Sequence, residues 1–255
     1  MDEDAKLIQE HSPAHPGSTD SDQETNDFKP SCPFCVIAKT YPPVSPLSAA
    51  GSSDLDSTKL DPPSFVLFSN AHVIAFLDIM PLTRGHVLVA PRKHRVKIGH
   101  LSSDESAEIG RVLPVIVRSV LKSVLPDIPH DEVDYNVVQN NGPGAAQVVP
   151  HVHFHVIPRP PLNYSYPPLA RSANAPSTPK HGKYPPNEVP PARARNAVIF
   201  GRGTREDLDE EESEILIEEI RQNIKDEFDS QAAASSLENL DLSSDPKSRK
   251  GGWKV

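Results

Sequence analysis

Cysteine is almost missing from this chain of 255 residues: there are two. Two thiols cannot build a disulfide framework, so a small stapled scaffold is excluded. Glycine is scarce at 12 residues, and aromatics make up only 5%. That is a thin supply for 255 packed residues, so a substantial part of the chain is expected to stay outside any core. Long apolar runs are missing as well. No stretch of about 18 apolar residues occurs, which excludes a membrane-spanning helix. The opening Met1-Asp2-Glu3-Asp4 is acidic and lacks an apolar segment, so no secretory signal is expected. Positive charge is in deficit: 26 Lys and Arg against 35 Asp and Glu give a net charge of -9. That balance disfavours non-specific binding to nucleic acid. The length leaves room for one ordinary domain with tails, or for two small domains.

Proline, by contrast, is plentiful at 28 residues, and its distribution divides the chain. Residues 1–30 are polar and read as a disordered arm. Residues 41–64 are rich in Ser, Pro and Asp and read as a surface insertion, with 44–62 lacking fixed structure. From Phe65 the texture changes. Phe65–Phe68, Val73–Leu77 and His86–Ala90 are strand-length apolar runs separated by turn residues. Ser102 and Glu105 have the spacing of a capping box. Ile109, Leu113, Ile116, Val117, Val120, Leu121 and Val124 then recur at three and four, which predicts an amphipathic helix kinked or broken at Pro114. Tyr135–Gln139 and His151–Ile157 are two further strands. This order predicts an α+β domain over residues 31–160, with an antiparallel five-stranded sheet and one long helix. Residues 158–191 hold 11 prolines, so 161–200 reads as an extended linker. Within it, Ala197–Phe200 is a lone apolar plug. Ile217, Ile220, Ile224 and Phe228 predict a separate acidic helix within 201–230. Residues 231–255 read as a tail.

His151-Val152-His153-Phe154-His155-Val156-Ile157 is the most informative segment. Alternate residues of a strand share one face, so three imidazoles are expected in a row, opposite an apolar face that fixes the register. Imidazole can serve as nucleophile, general acid or base, or metal ligand near neutral pH. Same-face neighbours lie about 6.6–6.8 Å apart along a strand. Three-point chelation of one ion from a straight strand is therefore awkward, and a division of labour among the rings is expected. The preceding loop, Asn140 to Gln147, is small and amide-rich. Either it turns a corner, or its backbone N–H groups, around Gly144, and the Gln147 side chain cradle an anion. Cys32-Pro33-Phe34-Cys35 reads as a metal half-site or a redox pair.

Taken together, these segments resemble the histidine-triad (HIT) family. The resemblance rests on His151 to Ile157, on Cys32 to Cys35, on Ala75-Phe-Leu-Asp78-Ile-Met-Pro81, on Gly85 to His94 and on Gln139-Asn-Asn-Gly142. It is strongest to the Hint branch, which hydrolyses nucleoside 5′-phosphoramidates. The resemblance implies an α+β fold with a short N-terminal helix, a homodimer, and a purine nucleoside 5′-monophosphate derivative as substrate. It implies His153 as the nucleophile and His155 as a contact to phosphate oxygens. His151 would orient the nucleophile or bind metal, and His86 would be a fourth, upstream histidine. Asp78 would receive the ribose hydroxyls, Ile79 and Phe76 would line the base pocket, and Asn140 and Gln147 would belong to the phosphate loop. Many Hint proteins carry Ser or Thr where this chain has Val148, which removes one donor beside the leaving group. Some members with the Cys pair bind zinc, and the matching residues are Cys32, Cys35, His94 and His151. Cys₂His₂ is a closed tetrahedral set, so such zinc would be structural. Dinucleoside polyphosphate hydrolysis and a non-catalytic nucleotide-binding scaffold are the alternative functions. No membrane or specific nucleic-acid partner is expected, and the location is expected to be cytoplasmic or nuclear.

Overall fold

A computed structural model describes residues 27–161, 164–167 and 208–243. Residues 1–26 of the N-terminal arm, nearly all of the 161–200 linker with its apolar plug, and the last twelve residues lie outside it. Helix α1 is Pro33–Thr40, with proline in its first turn, where no N–H is needed. Strands β1 (Val66–Ser69), β2 (Val73–Leu77) and β3 (Val87–Pro91) follow. Helix α2 is Ser103–Val124, β4 is Tyr135–Gln139, β5 is Phe154–Pro158 and helix α3 is Glu210–Ser243. The five strands form one antiparallel sheet in the order β1-β2-β3-β5-β4.

Strands β1, β2 and β3 are buried on both faces, and alternation sorts their side chains between two cores. Val66, Ile74, Phe76, Leu88 and Ala90 face α1, where they join Phe34, Ile37 and Tyr41. Leu67, Val73, Ala75, Leu77, Val87, Val89 and Val156 face the other way, onto Ile116 and Val120 of α2 and Ile217, Ile220 and Ile224 of α3. β1 and β4 are the edge strands, and Tyr135, Val137 and Val138 on β4 are exposed. Among the described residues no helix is long and apolar enough to cross a membrane.

Four expectations are corrected. First, α2 starts with the expected capping box, the Ser102 hydroxyl accepting from Glu105 N–H and the Glu105 carboxylate from Ser102 N–H, but it runs unbroken through Pro114. Pro114 lies on the exposed side of the helix, where water can satisfy the Gly110 carbonyl that loses its donor. Second, β5 begins at Phe154, so only His155 of the three histidines lies on the strand. Third, the acidic helix is longer than expected and is not separate. Its Ile217, Ile220 and Ile224 are buried against α2, Arg118 pairs with Glu227 at 2.7 Å, and Asn223 donates to Ser123 Oγ at 2.8 Å. The acidic run is its first turn, Glu210 to Glu212, where negative charge suits the helix dipole. Fourth, residues 41–64 have fixed structure. They form three short 3₁₀ turns, bury Leu55 and Ser57, and are gripped by α3.

Candidate active site

A cleft of about 1450 Å³ opens beside β3, β5 and the end of β2. Of the sequence-predicted residues, Phe76, Asp78, Ile79, Asn140, Gly144, His153 and His155 line it. Pro33, Phe34 and Ile37 of α1 form part of its wall, and so does the end of the 41–64 segment.

The three histidines divide into separate settings. His153 is buried, and its Nδ1 lies 2.6 Å from the carbonyl oxygen of His151. A carbonyl only accepts, so the Nδ1–H donates and Nε2 keeps the lone pair. Burial lowers the His153 pKa, working against the hydrogen bond to His151 and the charge of Asp78, and so favours the neutral ring. Phe34 meets the His153 ring edge to face at 5.1 Å and Phe76 at 5.2 Å. Phe34 was visible in sequence only as one residue of Cys-Pro-Phe-Cys. Its role needed the fold, which lays α1 over β2 and the histidine segment.

His155 sits beside His153, with ring centroids 4.8 Å apart. Its Nδ1 lies 2.9 Å from His86 Nε2. Leu82 N–H donates to His86 Nδ1 at 3.2 Å. That assigns the His86 proton to Nε2, which donates to His155 Nδ1 and leaves the His155 proton on Nε2. Asp78 is buried. Its Oδ1 accepts from Met80 N–H at 2.9 Å, and its Oδ2 lies 3.5 Å from His86 Nδ1. The turn that presents His86 depends on Gly85. It has φ +76°, and a Cβ there would lie 2.4 Å from Val124 of α2.

His151 faces away from this group. Its Nε2–H donates to Pro91 O at 2.9 Å, so Nδ1 is the acceptor. That Nδ1 lies 3.4 Å from Cys32 Sγ and 3.7 Å from Cys35 Sγ. His94 Nδ1 is 3.3 Å from Cys35 Sγ. The four ligand atoms all fall within 4.8 Å of one another, and the group could hold a metal ion. The donor set fits: two thiols, two imidazole lone pairs, and a ring N–H on a backbone carbonyl that fixes the His151 tautomer. Burial pushes the Cys35 thiol up to about 11 and the His151 imidazole down to about 4. Both shifts follow from burial and favour the neutral thiol and imidazole; metal binding would have to displace the thiol protons.

The loop before His151 departs from expectation. Gln147 does not line the cleft. Its Oε1 accepts from Gly142 N–H at 2.6 Å, and its Nε2 donates to Val96 O at 2.8 Å and His151 O at 3.2 Å. Both ends of the amide are spent on backbone, so Gln147 shapes the loop and steadies His151. Ala145 and Gln147 N–H donate to Gly142 O, and Ala146 N–H to Pro143 O. Several amides that the sequence offered to an anion are therefore used inside the loop. Val148 is 90% exposed at the mouth of the cleft.

Comparison with known proteins adds to this geometry. Residues 59–162 match the HIT domain family. An adenosine 5′-monophosphoramidase of Schizosaccharomyces pombe is 44% identical over 106 residues, 42% of this chain and 72% of that protein. One of Candida albicans is 44% identical over 99 residues, 38% of this chain and 62% of that protein. A hypothetical histidine triad nucleotide-binding protein from Sulfolobus tokodaii of known structure is 21% identical, with a TM-score of 0.49. It covers 76% of this chain and 93% of its own.

Proposed function

The chain belongs to the HIT domain family, and on that premise we propose that it hydrolyses nucleoside 5′-phosphoramidates through a nucleotidyl–histidine intermediate. The observation that carries the reading is the His153 ring, held by a carbonyl on Nδ1 and kept neutral by burial at the cleft wall. Such a ring presents a lone pair on Nε2 without a separate base. In the first step that lone pair attacks the α-phosphorus. The P–N bond to the amine breaks, and the amine leaves with a proton from water. His155 Nε2–H contacts the phosphate oxygens, its tautomer fixed by His86. In the second step water attacks phosphorus, the His153–phosphorus bond breaks, and the nucleoside monophosphate leaves a neutral His153. Asp78 receives the ribose hydroxyls, and Phe76 and Ile79 border the base.

Cys32, Cys35, His94 and His151 would hold zinc as a closed structural set, which ties α1 to the segment bearing His153 and supplies no chemistry to the substrate. The free, buried Cys pair suits a reducing compartment, the cytoplasm or nucleus. The exposed apolar edge strand β4 is the surface on which a homodimer would form. The test is turnover of adenosine 5′-monophosphoramidate beside a diadenosine polyphosphate, with wild type and His153→Ala. His153→Ala should lose nearly all turnover and keep AMP binding. Turnover near wild type in that variant would remove His153 as the nucleophile.

A further inference from the structure

Two walls of the cleft are built from segments that α3 and its approach hold from behind. The first is Leu60 to Ser64, the end of the 41–64 segment, and the second is Ile79 to Leu82. On the first side Arg221 of α3 is almost fully buried, at 2% exposure. Its Nη2 donates to Leu55 O at 2.9 Å and, with its Nε, to Val66 O. One guanidinium fork thus joins the 41–64 segment to β1, on either side of the wall-forming residues. Glu214 bonds Ser57, and Glu218 accepts from Gly51 N–H at 2.9 Å. On the second side Leu208 N–H donates to Ile79 O at 3.2 Å. Arg84, in the same turn as Ile79 to Leu82, pairs with Glu212 at 2.7 Å, donates to Pro167 O at 3.2 Å and lies over the Tyr166 ring at 5.3 Å.

The hydrogen bonds that set the histidine tautomers run from His153 to the His151 carbonyl, between His86 and His155, and from Leu82 N–H to His86. We infer that α3 is a positioning element for the nucleotide-binding walls, acting through Arg221 and Arg84 while leaving the histidine chemistry to β3, β5 and α1. α3 and most of the 41–64 segment lie outside the stretch that matches the family. The inference rests on the nucleotide reading above.

The test is AMP affinity by calorimetry, with KM and kcat on adenosine 5′-monophosphoramidate, for wild type, Arg221→Gln, Arg221→Lys and Arg84→Gln. A fork donating to two carbonyls cannot be copied by an ammonium, so Arg221→Lys should fall between wild type and Arg221→Gln. Arg221→Gln and Arg84→Gln should each weaken AMP binding and raise KM by about tenfold, the cost of charge-assisted hydrogen bonds lost behind a binding wall. Their kcat and the pH dependence of kcat should stay at wild type. Loss of a buried guanidinium can unfold a protein, so Arg84→Gln, at the domain margin, carries the test if Arg221→Gln does not fold. Unchanged AMP affinity in the folded variants, or a fall in kcat at constant KM, would overturn the inference. Absence of AMP binding by wild type would instead overturn the nucleotide reading, and this inference with it.

Discussion

At the residue scale, function turns on where protons sit, and backbone carbonyls decide that. His151 O takes the Nδ1–H of His153, and Pro91 O takes the Nε2–H of His151. Neighbouring histidines thereby point opposite nitrogens at their tasks. Burial lowers the His153 pKa below the ordinary 6.5. The neutral, nucleophilic ring then persists as pH falls through 6.5, and protonation removes it only further down. The acid limb of kcat/KM should therefore lie below 6.5 in a pH–rate profile. A limb at or above 6.5 would assign that titration to another group. Val148 yields a second prediction. It is 90% exposed and lines the cleft rather than the core, so the missing hydroxyl is a difference that substrate can feel. Val148→Ser should speed departure of a strongly basic amine by no more than about 10²-fold, since water already serves, and should leave an aromatic amine unchanged. Equal change on both substrates would refute a role in leaving-group protonation.

At the element scale, most of the architecture was legible. β2 and β4 fall where apolar runs and turn residues put them, and the start of α2 follows from Ser102 and Glu105. The histidine segment was misread as one long strand because period-two alternation cannot reveal that Val152 is tied to a loop. Its N–H donates to Arg95 O, and Gln147 holds His151 O. The 41–64 segment was misread because its polar composition hides what fixes it, an arginine more than 150 residues away. The candidate site was legible in residue type but not in tautomer, and Gln147 is the residue whose direction the sequence could not show. The capping box also reaches the site. Glu105 accepts from Ser102 N–H at 2.7 Å and pairs with Arg95, whose carbonyl receives Val152 N–H. Ser102→Ala should cost about 1 kcal/mol of stability in denaturant unfolding, with kcat unchanged. If the Cys₂His₂ group holds zinc as proposed, Cys32→Ser with Cys35→Ser should abolish zinc binding and lower Tm while leaving part of the turnover, because a closed site couples metal binding to folding. Wild-type protein prepared under reduction and free of zinc on elemental analysis would count against the metal assignment.

At the scale of the whole molecule, the question is whether α3 belongs to the domain or rides on it. The sheet has two buried faces, and one is covered jointly by α2 and α3. Without α3 the apolar surface met by Ile217, Ile220 and Ile224 would face water, at about 25 cal/mol per Å² of apolar area exposed. The ring stack between Phe68 of β1 and Phe228 of α3, with centroids 6.3 Å apart, joins the two directly. A helix expected from its sequence to be separate is, by its packing, part of the core's cover. Ile220 is fully buried, so Ile220→Ala should cost about 2–5 kcal/mol. That is a large part of the roughly 5–15 kcal/mol that keeps a domain folded. If the chain unfolds as one unit, urea titrations followed by far-UV circular dichroism and by loss of AMP binding should shift together, with one midpoint in each protein. Two transitions, with the binding transition unmoved by Ile220→Ala, would make α3 an appendage and would sever the link from its core contacts to the walls of the cleft.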